Sequence, residues 1–346
     1  MKSILLNKYG ESHSAFKIEE TDIPRPGKGE VTIKVSYSGL NFADVMARRG
    51  LYKGAPPLPF VLGYDVAGTI HEVGKGVEGL EKGQKVTAMT RFGGYAEYAK
   101  TQASGVAVIQ DDWDMAWSTA LTTQACTAVY CAEEVLKLYP GYKVLIQAAS
   151  GGVGRILIQL AKHYGCEIFA TASTGKQDYL RELGADHPID YMKEDFSERV
   201  RTIAGDKSLD VVFDNLGGKR YKEGLKLLAP VGKIVSYGAA DQNRGNKTSK
   251  WNTLRVGLGF GFHSPIPLVV QSKSMIGVNM LKLADHKPHI FKNILDRVID
   301  LASKGIINPL LDKEFEASKV SEAHDYLESR KSKGKVVIKW NTPPHE

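Results

Sequence analysis

Over the first 120 residues apolar positions alternate rather than cycle. Val31-Thr32-Ile33-Lys34-Val35 puts an apolar side chain at every second place, the period of a half-buried strand, and Pro24, Pro26 and Gly27 set a turn ahead of it. Similar runs at 66–73 and 85–89 are set off by Gly74, Gly76 and Gly83. Short strands at this spacing predict a small β-barrel or sandwich. From about Met115 the period changes. Residues 119–138 carry apolar positions at helical spacing, up to Tyr139-Pro140-Gly141. Beyond Lys143, strands at 144–146, 167–171, 209–213 and 233–237 alternate with helices at 153–164 and 176–183, closed by Gly165 and Gly184, and with a helix ending at Leu227-Leu228. Continuous apolar strands between amphipathic helices predict a parallel sheet covered on both faces. A strand at 274–280, a helix at 290–302 and a strand at 336–338 follow. The stretch 241–272 is basic, Gly-rich and aperiodic, which predicts a lid or a binding surface.

The most informative segment runs from Val144 to Gly154. An apolar strand leads into Gln147-Ala148-Ala149-Ser150-Gly151-Gly152-Val153-Gly154, where a helix begins. This is the order a dinucleotide pyrophosphate requires: Gly151 admits the phosphates to the backbone, Gly154 lets the helix pack on the strand, and the first N–H groups face the anion. Ala149 stands where the usual fingerprint has its first glycine. The next strand ends in Ala172-Ser173-Thr174-Gly175-Lys176, with no carboxylate until Asp178. A carboxylate there accepts from a ribose 2′-OH, whereas hydroxyls and a lysine suit a 2′-phosphate, so the pattern favours NADP(H) over NAD(H). On the plainer reading Lys176 only opens a surface helix.

Composition narrows the rest. With 346 residues the chain predicts two domains. At 42% hydrophobic and 25% charged it is neither a disordered nor a fibrous sequence. No apolar run reaches the ~18–20 residues of a spanning helix, so no integral membrane segment is expected. The initial apolar run breaks at Asn7, short of a signal-peptide core, and three cysteines without a pairing pattern suit a reducing compartment. A cytoplasmic protein is expected. Subtracting 39 acidic from 46 basic residues leaves +7, compatible with nucleic acid, an acidic membrane surface or a polyanionic cofactor. The basic residues are scattered, and no nucleic-acid partner is predicted. Their densest cluster, 330–335, reads as solvated surface or as a ligand contact. Cys126 and Cys131 lie five apart, outside zinc-pair spacing, and His286 and His289 flank Pro288 as surface or packing residues.

Several stretches carry a resemblance. They are Ser38-Gly39-Leu40-Asn41-Phe42-Ala43-Asp44, Arg49-Gly50-Leu51-Tyr52, Leu62-Gly63-Tyr64-Asp65-Val66-Ala67-Gly68, the turn at 149–154, Leu183-Gly184-Ala185-Asp186, Asp214-Asn215-Leu216-Gly217-Gly218 and Gly232 to Gly238. In order and over nearly the whole length, the chain resembles the medium-chain dehydrogenase/reductase superfamily, in its zinc-free quinone oxidoreductase (zeta-crystallin-like) branch. Within it, His187 to Tyr191 and the long 241–272 segment resemble the vesicle amine transport protein homolog subgroup. The resemblance implies an α/β protein with a GroES-like catalytic domain from both chain ends (1–123 and 280–346), a Rossmann domain at 124–279, a cleft between them, and a homodimer formed along 275–280. It implies NADPH contacts at Asn41, Thr127, Ser150, Gly151, Gly152, Val153, Ser173, Lys176, Tyr191, Asn215, Tyr237, Gly238 and Arg330, with Gly154 in the same turn. Of these, Ser173, Lys176 and Tyr191 would surround the 2′-phosphate, and Asn41 would lie near the nicotinamide ribose. Zinc-dependent relatives have a Cys ligand where this chain has Asn41 and a His ligand where it has Tyr64, so no zinc is expected.

A site without a Lewis acid must polarise its acceptor by hydrogen bonds, which suits hydride transfer to a quinone or an electron-poor C=C. Tyr52 resembles the proton-donating tyrosine of enoyl-thioester reductases, and Tyr64 takes a metal-ligand position; both are candidate catalytic residues, the alternative being aromatic pocket walls. Met46 stands where some quinone reductases have Tyr, so quinone and enone acceptors both remain open. An enoyl-thioester reductase and a low-turnover NADPH-binding interaction protein are the alternatives.

Overall fold

The computed structural model describes residues 1–239, 260–261 and 264–340. The chain folds as two compact units, one of Met1–Cys126, Met280–Lys304 and Pro309–Glu346, the other of Thr127–Asn279 with Gly305–Asn308.

In the first unit a seven-stranded sheet orders Leu311–Glu316, Lys335–Lys339, Glu30–Leu40, Asp65–Val73, Lys85–Met89 and Val106–Val108, and Tyr98–Gln102 also pairs with Glu30–Leu40. Only the first pair is parallel. A three-stranded sheet of Phe16–Glu20, Lys2–Leu6 and Phe60–Val61 completes the β-rich body. Val31, Ile33 and Val35 enter one core with Ile4, Leu62, Val66, Ile70 and Val336, as their alternation requires. Thr32 departs from the half-buried expectation: it is buried too, its Oγ1 donating to the Pro24 carbonyl at 2.7 Å. The short helix Phe42–Arg48 was not visible in the period of the sequence. Asp44 starts it by accepting the Asn41 N–H at 2.8 Å, half of a capping box.

In the second unit six parallel strands lie in the order His187–Asp190, Glu167–Ala172, Lys143–Ile146, Leu209–Asp214, Leu228–Ser236 and Ser274–Gly277. The chain begins at the centre, builds outward one way and then the other. Strand order therefore reverses between Lys143–Ile146 and Leu209–Asp214, the place where doubly wound sheets bind ligands at their carboxyl ends. Leu145, Phe169, Ile189, Val212 and Ile234 form the core beneath. Two expectations need correction. Residues 119–138 do not form one regular helix: wide π-type turns at Leu121–Ala125 and Tyr130–Glu134 flank the α-helical Cys126–Val129. The strand expected over 274–280 stops at Gly277, and Met280 opens the helix Met280–His286. Most of 241–272 lies outside the described residues; its described end includes the helix Pro265–Gln271.

Candidate active site

The carboxyl edge of the parallel sheet is shaped first by glycine. Past Lys143–Ile146 the chain turns, and Gly151, extended at φ −83° and ψ 172°, caps the helix Gly152–His163. A Cβ on Gly154 would sit 2.6 Å from the Ala149 Cα and 2.7 Å from its carbonyl oxygen. No side chain fits there, so Gly154 is what lets the helix start close to the strand. Gly151 differs: a Cβ would meet nothing nearer than the Ala148 oxygen at 3.4 Å. The protein's own packing does not demand that glycine, whereas a ligand lying on the backbone would. The left-handed residue of the turn is Ala148, at φ 49°, a strain of roughly 1–2 kcal/mol for a non-glycine residue. Ala149, next in line, donates its N–H to the Thr171 carbonyl at 2.9 Å. Ser150 is buried inside the turn, and Gly152, Val153 and Gly154 supply N–H groups of the first helical turn, which have no partner within a helix.

Two neighbouring strand ends leave polar atoms without partners. Asn215 follows Leu209–Asp214 and Tyr237 follows Leu228–Ser236; among the described residues neither the buried Asn215 Oδ1 nor the buried Tyr237 hydroxyl has a hydrogen-bond partner. Burial pushes the Tyr237 phenol well above its usual pKa. Gly238 is held against Asn215, whose carbonyl oxygen would lie 2.9 Å from an added Cβ. Asp214 anchors the corner, accepting the N–H of Leu216 at 3.2 Å and of Gly217 at 3.1 Å.

At the end of the second strand, Ala172 and Asp190 are partners in register and Tyr191 donates its N–H to the Ala172 carbonyl at 3.3 Å, so Ser173 and Tyr191 leave the sheet side by side. Asp190, the carboxylate at this point, accepts from Thr174 Oγ1 at 2.7 Å and from the Met192 N–H at 3.0 Å. Lys176 caps the helix Gln177–Leu183. Arg220, which sequence reasoning missed, lays its guanidinium 4.3 Å from the centroid of the Tyr191 ring. Nothing in the local sequence marks Arg220; it reads as an exposed helical cation. Thr127 is buried in Cys126–Val129.

The first unit holds the other candidates. Asn41 donates its amide to Asp65 Oδ2 at 2.7 Å and accepts from Lys335 Nζ at 3.0 Å, while Lys335 also pairs with Asp65. The second Asp65 oxygen accepts from Thr122 Oγ1 at 2.7 Å and from the Thr123 N–H at 3.0 Å. Asp65 and Lys335 are both fully buried. This corrects the reading of the 330–335 cluster: its early residues are exposed, but its last cation is interior. Gly39, opposite Val337 on the next strand, leaves the room that the Lys335 chain takes. Beside this network Asp44 is also buried, with backbone N–H groups of Asn41 and Gly63 at 2.8 and 3.2 Å. Burial outweighs those bonds and raises its carboxyl to about 7.

Tyr52 and Tyr64 are brought together, ring centroids 6.2 Å apart and edge to face, with Phe92 packed 4.9 Å from Tyr64. Tyr64 is buried, with the Tyr52 side chain acting on its phenol. Burial raises both phenols above their usual range, so both stay protonated. Arg330, by contrast, is exposed beyond the helix Val320–Glu328, at φ 61°. Among the described residues no three His, Cys, Asp or Glu side chains gather as a metal site, the three cysteines are free and buried, and His286 and His289 are exposed.

A β-rich unit built around Glu30–Leu40 and a doubly wound parallel sheet with a glycine turn at its switch point define a two-domain oxidoreductase architecture. Residues 27–111 match the alcohol dehydrogenase GroES-like domain, and 183–338 match the family described as zinc-binding dehydrogenase. The human synaptic vesicle membrane protein VAT-1 homolog is 32% identical over 316 residues, 91% of this chain and 80% of its own length. The 2-haloacrylate reductase of Burkholderia sp is 29% identical over 346 residues, 98% of each protein. The Escherichia coli quinone oxidoreductase, solved in complex with NADPH, matches with a TM-score of 0.85 at 25% identity, over 98% of this chain and 100% of that one. The chain belongs to the medium-chain dehydrogenase/reductase superfamily, alongside quinone oxidoreductases and VAT-1 homologs. Among the described residues no helix is long and apolar enough to cross a membrane.

Proposed function

We propose that this protein is a zinc-independent, NADPH-dependent reductase that passes hydride to a quinone or an α,β-unsaturated carbonyl. The observation that carries the cofactor half is the end of the second strand: Ser173, Lys176 and Tyr191 stand at or beside it, and Asp190 already accepts from Thr174 and Met192. A 2′-phosphate meets hydroxyls and cations there, where a 2′-OH would look for a carboxylate. The turn from Ser150 to Gly154 suits the pyrophosphate. The orphaned Asn215 Oδ1 and Tyr237 hydroxyl are the buried polar atoms that a bound dinucleotide would satisfy. Thr127, Gly238, Asn41 and Arg330 complete the proposed contacts. The NADPH complex of the Escherichia coli quinone oxidoreductase supports the same reading.

When bound, NADPH supplies the hydride. The chain's part is to hold the acceptor and to meet the negative charge that develops on its oxygen. Tyr64 offers a neutral hydroxyl beside that of Tyr52, in surroundings that exclude water. A donor there is worth far more than one in solvent. Tyr52, half-buried at its edge, is the second donor and the route by which a proton reaches the product. Neither phenol is charged, so neither opposes an anionic transition state. An electron-poor C=C is also the bond that the name of the 2-haloacrylate reductase implies for its substrate.

The test is NADPH oxidation followed with small quinones, short enones, 2-haloacrylate and enoyl thioesters. At least one acceptor is expected to consume NADPH stoichiometrically. Tyr64→Phe is expected to lower kcat about 10²–10³-fold with little change in KM for NADPH. Tight NADPH binding without turnover on any acceptor would replace the reductase with a binding protein.

A further inference from the structure

Arg220 is not among the residues that the sequence pointed to, yet the sheet places its stack on Tyr191 at a defined point. Arg220 is in the first turn of Gly218–Leu227, and its carbonyl accepts from Gln147 Nε2 at 3.3 Å, which ties this helix start to the residue leaving the central strand. Its guanidinium reaches the Tyr191 ring, at 4.3 Å from the centroid. Tyr191 in turn is fixed beside Ser173 by the Ala172–Asp190 register.

In a doubly wound nucleotide fold the end of the second strand meets the adenosine ribose, and a nearby arginine there accommodates a 2′-phosphate. Lys176 is a flexible point charge. A guanidinium is a planar fork that can meet two phosphate oxygens at once, and an aromatic ring beneath it reduces the freedom it must lose on doing so. We propose that Arg220, laid on Tyr191, is a second cation of the subsite for the adenosine 2′-phosphate and sets the preference for the phosphorylated cofactor. This deepens the NADPH reading above and rests on it.

The experiment is calorimetric titration of the full chain with NADPH, NADH, 2′,5′-ADP and 5′-AMP. Arg220→Met is expected to weaken NADPH and 2′,5′-ADP about 10- to 100-fold, the worth of a charge-assisted bond, while NADH and 5′-AMP change less than about twofold. Arg220→Lys should recover part of the loss, and Tyr191→Leu should weaken the same two ligands selectively. Equal weakening of NADPH and NADH, or no change in either, overturns the proposal. A wild-type chain that prefers NADPH while Arg220→Met binds it unchanged overturns this proposal alone. A wild-type chain that holds NADH as tightly as NADPH overturns the cofactor reading and this one with it.

Discussion

Both carboxylate oxygens of buried Asp65 are engaged, shared among Asn41, Thr122, Thr123 and Lys335. At the carboxyl edge of the parallel sheet the reverse holds, for Asn215 Oδ1 and the Tyr237 hydroxyl are buried without a hydrogen-bond partner among the described residues. An unsatisfied buried polar group costs about 1–3 kcal/mol, so a fold keeps one only where something else repays it. The Asp65 cluster is therefore scaffold, whereas Asn215 Oδ1 and the Tyr237 hydroxyl are the atoms that the proposed cofactor would satisfy. Within the cluster each half of the Asn41 amide is tied once and each retains one further bond.

The largest effect is expected at Lys335. Lys335→Met should leave the Asp65 carboxylate buried without its cation and cost about 3–5 kcal/mol in urea unfolding, with much of the loss recovered by adding Asp65→Asn. A single variant within about 1 kcal/mol of the parent would mean that the pair is not scaffold. Asp44 sharpens the distinction between bonds satisfied and charge compensated. Its folded pKa of about 7 lies above the unfolded value of about 3.9, so between those pH values the native chain holds a proton that the unfolded chain has released. Stability then falls as pH rises through this window, by about 3–4 kcal/mol in all, and levels off above it. Asp44→Asn, which cannot titrate, should lack that slope in pH-dependent melting. The smallest effect tests the unsaturated side. Tyr237→Phe should change stability by less than about 0.5 kcal/mol, because the hydroxyl has no partner among the described residues, while NADPH affinity falls about 2- to 10-fold. A stability loss without an affinity loss would move Tyr237 to the scaffold.

Where periodicity and punctuation act locally, the sequence was legible. The apolar runs at 144–146, 167–171 and 209–213 are strands within a residue of where the pattern put them, and Gly184 closes its helix in the left-handed conformation. The glycine turn was legible for the same reason, because each of its residues acts within a few places of itself. What was hidden depends on partners far along the chain. Lys335 stands in a basic run and looks solvated until the pairing of its strand with Glu30–Leu40 turns it inward over Gly39. Arg220 has the look of any exposed helical cation until Tyr191 comes beneath it. The wide turns in 121–134 escape a reading at 3.6 residues per turn, since the same apolar residues serve both geometries. Met280 extended the apparent strand because an apolar residue opens a helix as readily as it continues a strand.

The β-rich unit is gathered from segments on either side of the parallel-sheet one, and Asp65 meets its cation 270 positions later. At roughly 5–20 residues per second on the ribosome, that separation is of the order of tens of seconds. Throughout that interval the newborn Glu30–Leu40 strand lacks its neighbour Lys335–Lys339, so the emerging polypeptide shows an open ladder edge while the later Thr127–Asn279 portion can already close on itself. Changes in the closing strand should consequently appear as lower yield of native protein made in cells before they appear as slower turnover.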